Sequence, residues 1–576
     1  MSFNLEGVKT RKGSVLKWRS TPLIADHPLT AWQGLLEARN LHESDKYFAP
    51  ALSDLPDPFV MQDMDKAASR LADAVQRQEN IHVFGDFDCD GVSGTAILVV
   101  ALREAGAKVT FSIPHRADDG HGIGVEPVKS AFEAGASLGL SVDTGTTCLE
   151  ASDTASSLGF DLIITDHHLP DKELPNAYAL LNPAREDCGF ADKVLCGTGV
   201  AFFLLMATWK VLGDRGGGRP AFDLRQLLDR VAMATVADVM DLKGVNRVLV
   251  HFGLQQLRQS PSLGMSALMD IAKIKRHRVS TESIGFYLAP RINAAGRMRH
   301  GEEAMLLLCS EDLEEATGLA LSLDTCNQER RKIESETYKE ALGKLQLLNE
   351  NASSSTQEEN EILAVYDHHW HAGVVGLVAG RLSRLYVRPA AVGFVDSSQD
   401  IRVSLRGPKG YHVGELLRAC AKHLTGFGGH AGAGGGTVKA KSWNAFSLDF
   451  TKAVQDQQRE GLRHNYLHVD GVLHLDALHI GLASRLKRFE PIGQGNPACL
   501  WLLRDVTVVD VKKLKGGVLR IRLTNGRAFV DAVAFGAGVL ESDLQEGVQI
   551  SLLGELKEDD FRGGGAVQFV VSDLVP

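Results

Sequence analysis

Three aspartates crowd one short stretch of the chain. In "VFGDFDCDG", Val83 to Gly91, Asp86, Asp88 and Asp90 stand at alternate positions directly behind the apolar run "IHVF". Carboxylates so close together repel one another unless a cation lies among them. Two further apolar runs end in the same kind of residue. "LGLSVD" ends in Asp143, and "DLIITD" ends in Asp166 and leads straight into His167 and His168. Carboxylate and imidazole suit Mn²⁺ or Mg²⁺. Two such ions, about 3.5–4 Å apart, clamp the attacking and leaving oxygens of a phosphoryl displacement. A carboxylate shared by both ions would hold the pair together, and Asp143 is the natural candidate. A lone D-x-D is more often a turn or a helix cap, and an adjacent histidine pair says less still. The argument rests on all three clusters, each behind its own apolar run.

Residues this far apart in sequence meet only if the fold gathers them. "IHVF" reads as a buried strand and "VSGTAILVVALREAG" as the helix after it. Strand and helix keep alternating through "LGLSVD", "TTCLEASDTASSLG" and "DLIITD", which predicts a parallel sheet with crossover helices. The carboxyl ends of such strands share one edge, where ligands bind. The expected class is α/β, with a parallel-sheet catalytic domain over 76–262 and a smaller second α/β domain over 361–460. A helical connector over 263–352 joins them, and a β-barrel domain follows over 465–576. Residues 1–75 are expected to pack on the catalytic domain. The connector's "EEATGLALSLDTCNQERRKIESETYKEALGKLQLLNE" has helix-forming composition and no proline, and "NENASSSTQEEN" after it is a polar boundary loop. "WLLRDVTVVDVKKL", "VLRIRLTN", "RAFVDAVAF" and "VQISLLGELKE" are short alternating strands between turn residues, the texture of an OB-like barrel.

A chain of 576 residues is too long for one core and divides into several domains. Hydrophobic residues make up 44% and charged residues 23%, the balance of a soluble globular protein. "GVAFFLLMATWKVLG", Gly199 to Gly213, is too short to span a bilayer and contains Lys210, so it is expected to be a buried helix. The first residues carry no apolar signal-peptide core, and the expected location is the bacterial cytoplasm, with no membrane association. The eight cysteines form no C-x-x-C pair. That argues for reduced thiols and for a metal held by oxygen and imidazole. A net charge of −10 argues mildly against nucleic acid, yet local fields decide steering. Ile271 to His300 sets Lys273, Lys275, Arg276, Arg278, Arg291, Arg297 and Arg299 against Glu282 alone.

At "GDFDCDG", "VDTG" and "TDHH" the chain resembles the DHH phosphoesterase superfamily, which takes its name from the third motif. More narrowly it resembles that family's bacterial single-strand-specific DNA exonucleases, from about Tyr47 to the C-terminus. "FAPALSDLPDP", "PRINAAGR", "HAGVVGLVAGRL", "GFGGHAGAGG" and "PIGQGNP" carry the rest of the likeness. The resemblance implies Asp88 and Asp143 on one metal, and Asp90, Asp143, His167 and Asp238 on the other. It implies His168 beside the scissile phosphate and Asp86 in support. The second α/β unit resembles the accompanying DHHA1 domain. There Ser404 and Arg406 match an S-x-R element implied to hold a phosphate near the 5′ end. Gly429, His430 and Gly432 lie in a glycine-rich stretch with the composition of a backbone-amide cradle. Arg116, Arg291, Asn293, Arg297 and His371 complete the expected substrate contacts.

The implied activity is metal-dependent, two-ion hydrolysis of single-stranded DNA in the 5′→3′ direction. Mononucleotides are the implied products, and repair and recombination the implied setting. A single-stranded-DNA-binding protein and a RecQ-type helicase are the implied partners of a monomeric enzyme. The alternatives are a phosphoesterase for short oligonucleotides or cyclic dinucleotides, and a non-catalytic single-strand-binding scaffold. Two departures stand out. Phe84 occupies a position where some family members have a metal-ligating histidine, and His121 one where related exonucleases carry an aromatic residue. The first is expected to weaken one metal site, and the second to change stacking at the 5′ end.

Overall fold

A computed structural model describes residues 7–20, 23–114, 122–215, 218–299, 301–351, 362–458, 465–535, 540–559 and 565–575. The N-terminal segment contributes two short strands, β1 (Val15–Trp18) and β2 (Ile24–Ala25), and the helix Pro28–Ala38. After the helix Met64–Arg77 comes the catalytic sheet: β3 (Asn80–Phe84), β4 (Lys108–Ser112), β5 (Leu138–Val142), β6 (Asp161–Thr165) and β7 (Ala179–Leu181). All its pairings are parallel, in the spatial order β4-β3-β5-β6-β7. The chain leaves β3 on one side and returns on the other, so β3 and β5 flank the point where strand order reverses. Ligands of open α/β sheets bind beyond the strand ends at such a point.

Two helices fill the centre of this domain. Cys89–Glu104 is buried along almost its whole length, and so is Gly197–Asp214, the expected buried helix. Helices apolar all round are stable only inside a large core, and Leu98, Phe203 and Trp209 sit in one here. Among the described residues no helix is long and apolar enough to cross a membrane. The helix Leu313–Asn351 then runs for about 58 Å. Ala316, Ala320 and Leu323 on it join the catalytic core, while Ala341 and Leu345 join the core of the next domain.

That domain holds a mixed sheet of β8 (Ala364–Asp367), β9 (Ala390–Val395), β10 (Ile401–Arg406), β11 (Leu424–Gly429) and β12 (Ala433–Val438), in the order β11-β12-β10-β9-β8. The helix Ala372–Tyr386 packs on β9 and β10. Next come β13 (Tyr466–Val469), β14 (Gly471–Leu473), β15 (Trp501–Leu514), β16 (Val518–Thr524), β17 (Phe529–Ala534), β18 (Gln549–Glu558) and β19 (Val567–Val575). Of these β15, β16, β17, β19 and β18 close on themselves as an OB-like five-stranded barrel.

The N-terminal segment corrects the expectation from sequence. Its later part packs on the catalytic core as expected, through Leu52, Leu55, Phe59, Met61 and the helix Met64–Arg77, but its earlier part packs on the barrel. β1 pairs with β13, β2 pairs with β14, and Trp32, Leu35 and Leu36 share a core with Phe489, Trp501 and Phe569 of the barrel. These partners lie hundreds of residues away, beyond the reach of any local pattern. "PIGQGNP" is the joint between catalytic domain and barrel. Arg247, on a catalytic-domain helix and only 4% exposed, donates hydrogen bonds to the carbonyls of Tyr47, Phe489 and Glu490. Leu242 N–H donates to Gln494 O, and Thr281 Oγ1–H to Ile492 O.

Candidate metal centre

The acidic cluster begins where β3 ends. Asp88 caps the helix Cys89–Glu104, its Oδ1 accepting from Asp90 N–H at 2.9 Å and Gly91 N–H at 3.2 Å. Gly91 has to be glycine, because a Cβ there would stand 2.5 Å from Asp86 N. Asp90 is buried against the start of the helix Gly197–Asp214. Its two oxygens accept from Gly197 N–H at 2.7 Å and Thr198 N–H at 2.9 Å. A helix N-terminus favours a carboxylate there. At Gly197 a Cβ would stand 2.6 Å from Asp143 Cα, so a second glycine lets this helix reach the end of β5.

Asp143 is 4% exposed and has a φ of 61°. A non-glycine residue in the left-handed region stores about 1–3 kcal/mol and is typical of sites held by their surroundings. From β6, His167 Nε2 lies 3.0 Å from Asp143 Oδ1, 3.5 Å from Asp238 Oδ2 and 3.9 Å from Asp90 Oδ2. The ligand atoms of Asp86, Asp88 and Asp143 cluster within 4.8 Å of one another, and so do those of Asp90, His167 and Asp238. Asp143, His167 and His168 form a third such cluster, so Asp143 links the first cluster to His167 of the second.

Burial, and then the charges of Asp90, Asp88 and Asp86, push the Asp143 carboxyl well above the usual range. Asp238 is pushed up to about 8 by burial, Asp90 and Asp88. Buried Asp143 Oδ1 and Asp238 Oδ2 accept no hydrogen bond. Buried carboxylate oxygens are nearly always satisfied, so these residues fit divalent cations. Hard oxygen and imidazole donors suit Mn²⁺ and Mg²⁺. Burial also lowers His167, which keeps its ring neutral and able to ligate. Phe84 packs against Ile164 and Val128 in an apolar cluster beneath the site and offers no donor.

Asp166 opens the "DHH" motif, and the sequence names it in the cluster without giving it a role of its own. Its Oδ1 accepts from His168 Nδ1–H at 2.8 Å and from the amide of His167 at 2.7 Å. Its Oδ2 accepts from Thr146 N–H at 2.9 Å. Burial alone would raise Asp166, but the hydrogen bond and charge of His168 outweigh it and hold Asp166 well below the usual range. The same hydrogen bond lifts His168 to about 9.

The expected substrate residues separate into two groups. Asn293 Oδ1 accepts from Cys89 N–H at 2.8 Å, and a Cβ on Gly296 would collide with Phe87 O. The "PRINAAGR" helix, Ala289–Met298, is therefore clamped to the aspartate loop. Arg291 is paired with Asp324 at 2.7 Å, bracing the same helix against the long one. A Cβ on Gly373 would collide with Arg297 O, which seats the second domain on the far end of this helix. His371 Nδ1 caps the helix Ala372–Tyr386, accepting from Gly373 N–H at 3.0 Å. Ser404 and Arg406, two apart on β10, share one face of that strand, and both flank Gly376 on the first turns of the helix.

The glycine-rich stretch is a hairpin, with Gly428 opposite Gly435 and Gly429 opposite Gly434. β11 is the sheet's edge strand, so alternate backbone amides face outward while the others are spent on the ladder. Burial lowers His430, and the charges of Arg406, His168 and His412 act in the same direction. His430 therefore lies within electrostatic reach of His168. Arg116 and His121 lie outside the described residues.

Comparison with known proteins agrees with this geometry. Residues 80–235 match the DHH family N-terminal domain, 359–456 the DHHA1 domain and 469–573 the RecJ OB domain. The chain is 32% identical to the single-stranded-DNA-specific exonuclease RecJ of Bacillus subtilis, over 96% of this chain and 68% of that one. It is 31% identical to RecJ of Haemophilus influenzae, over 98% and 99%. The crystal structure of Thermus thermophilus RecJ in complex with Mn²⁺ superposes with a TM-score of 0.78 at 28% identity, covering 97% of this chain and 80% of that one. A structure of the same protein in complex with Mg²⁺ gives 0.73 at 26% identity, covering 97% and 78%. Kinship that spans the metal clusters, the connector and the barrel alike has one reading: the chain belongs to the RecJ family of single-stranded-DNA-specific exonucleases.

Proposed function

We propose that this protein digests single-stranded DNA from its 5′ end to mononucleotides, at a centre of two Mn²⁺ or Mg²⁺ ions. The observation that carries the reading is the pair of ligand groups joined at Asp143. Asp88 and Asp143 would hold one ion, with Asp86 in support, and Asp90, Asp143, His167 and Asp238 the other. When bound, the ions supply a water of lowered pKa and neutralise charge on the phosphate and the departing 3′ oxygen.

The chain's own residues do the rest. With Nδ1–H held by Asp166, the His168 imidazolium turns its other nitrogen, Nε2, toward solvent, where it can donate to a non-bridging phosphate oxygen. Ser404, Arg406, His371 and the glycine-rich hairpin at Gly429, His430 and Gly432 would receive the 5′-terminal phosphate from the second domain. Arg116 and Arg297 would steady the backbone. Asn293 and Arg291 act at one remove, by positioning the aspartate loop. The barrel would hold the incoming strand, as OB folds do, so binding should weaken with salt.

A role in repair and recombination, with a single-stranded-DNA-binding protein and a RecQ-type helicase as partners of a monomer in the bacterial cytoplasm, follows from the family. Single strands labelled at the 5′ or 3′ end, with duplex controls, test the polarity. The 5′ label should be released first, as a mononucleotide, with duplex resisting. Early loss of the 3′ label, or equal digestion of duplex, would refute the reading.

A further inference from the structure

Val239 directly follows Asp238 and breaks two rules of local structure at once. The helix Leu228–Ala237 ends in a Schellman motif: Val239 N–H donates to Val236 O at 3.2 Å and Met240 N–H to Thr235 O at 3.1 Å. The residue after the cap in this motif takes a left-handed backbone and is usually glycine or asparagine. Here it is a β-branched valine with a φ of 57°. Such a conformation is a genuine outlier for this side chain. Packing does not repay it, because Val239 is 64% exposed. Val387 also has a left-handed backbone, at 51°, but that side chain is half-buried.

Val239 lines a cavity of 920 Å³ between the catalytic domain, the connector and the barrel. Phe286, 76% exposed, lines the same cavity from a π-helical turn, Ile284–Leu288. Such turns are rare and concentrate at functional sites. The charged lining is mixed. Arg258 is paired with Glu490 at 2.9 Å and Lys487 with Glu558 at 4.0 Å, so the cavity offers no uniform basic track for phosphates. What it does present, beside a residue of the metal cluster, is bare apolar surface.

We propose that Val239 and Phe286 contact the faces of unpaired bases as the strand reaches the metal centre, and so help select single strands. The inference rests on the exonuclease reading and names a specificity contact within it. Base faces are apolar and accessible in a single strand, and are covered by their neighbours in a duplex. A side chain kept exposed in a costly backbone conformation is explained if it must be displayed to substrate.

The test compares binding of a short 5′-phosphorylated oligothymidylate with binding of the same strand carrying abasic sugars near its 5′ end. Fluorescence anisotropy in EDTA reads both on the full chain and on the variants Val239→Gly and Phe286→Ala. The unaltered chain should prefer the base-bearing strand by about tenfold, and each variant should lose most of that preference. Val239→Gly should melt at or above the temperature of the unaltered chain, since glycine suits this backbone. An undiminished preference in both variants would overturn the proposal, and so would a large fall in melting temperature for Val239→Gly. Parallel digestion in Mn²⁺ separates the two readings. No digestion, with the base preference intact, would refute the exonuclease reading and leave the base contact standing.

Discussion

Gly197→Ala probes the site without touching a ligand. The new methyl would stand 2.6 Å from Asp143 Cα and Cβ and 2.8 Å from Asp143 N. Reaching ordinary van der Waals contact needs a displacement of about 0.8 Å. These atoms are backbone or, as Cβ, fixed directly to it, so no flexible side chain can absorb the shift. Gly197 N–H and Thr198 N–H also hold Asp90, so the shift moves residues of both ligand groups. Overpacking of this kind costs about 1–3 kcal/mol of stability, and a misplacement near 1 Å costs roughly 100-fold in rate. Release of 5′ label from single-stranded DNA at saturating Mn²⁺ reads the rate, and thermal melting reads the stability. Gly199→Ala is the control in the same helical turn, where a methyl meets nothing nearer than Leu195 Cβ at 3.6 Å. It should keep near-normal turnover. Unchanged turnover in Gly197→Ala would show that the carboxylates tolerate the displacement, and the proposed geometric demand on Asp143 would be wrong.

Three further outcomes are expected. Asp143→Asn should lower hydrolysis by roughly 1,000-fold or more, while in EDTA the variant should melt above the unaltered protein, because a buried ionisable group crowded by other carboxylates has been replaced by a neutral one. Near-normal hydrolysis in Mn²⁺ would contradict the shared-ligand role. Arg247→Ala leaves several buried carbonyls at the barrel joint without their donor and should cost about 2–4 kcal/mol by urea unfolding; a loss under 1 kcal/mol would show that the joint is held elsewhere. His82, half-buried between Thr110 Oγ1 at 2.9 Å and Ser112 Oγ at 3.0 Å, is lowered from 6.5 to about 4 by burial. Between those values the unfolded chain binds the proton and the folded chain does not, so stability is full above about pH 6.5 and falls as pH drops toward 4. His82→Gln should flatten that slope in pH-dependent urea midpoints, and an unchanged slope would assign it to other groups.

The metal centre was legible because each acid follows an apolar run, and parallel strands send their carboxyl ends to one edge. Asp88, Asp90, Asp143 and His167 declare themselves in that way. Asp238 does not: an aspartate at a helix C-terminus has no distinguishing pattern, and only family resemblance singled it out. Asp166 was named without a role, and only the structure shows its Oδ1 hydrogen-bonded to His168 Nδ1 and to the amide of His167. The earlier part of the N-terminal segment was misplaced because β2 and β14 pair across most of the chain, which no local periodicity encodes. The strands of the glycine-rich hairpin were not legible, because glycine runs carry no side-chain alternation from which to infer a strand. The OB-like barrel was legible from the same alternation that those glycines lack.

The central claim is that Asp143 joins two metal sites. Mn²⁺ soaked into crystals of the protein with a phosphorothioate single strand, and located by anomalous scattering, tests it most directly. Two peaks are expected, one beside Asp88 and one beside Asp90, His167 and Asp238, with Asp143 touching both and the first weaker where Phe84 supplies no ligand. A single peak, or two peaks of which one is out of reach of Asp143, would contradict the account.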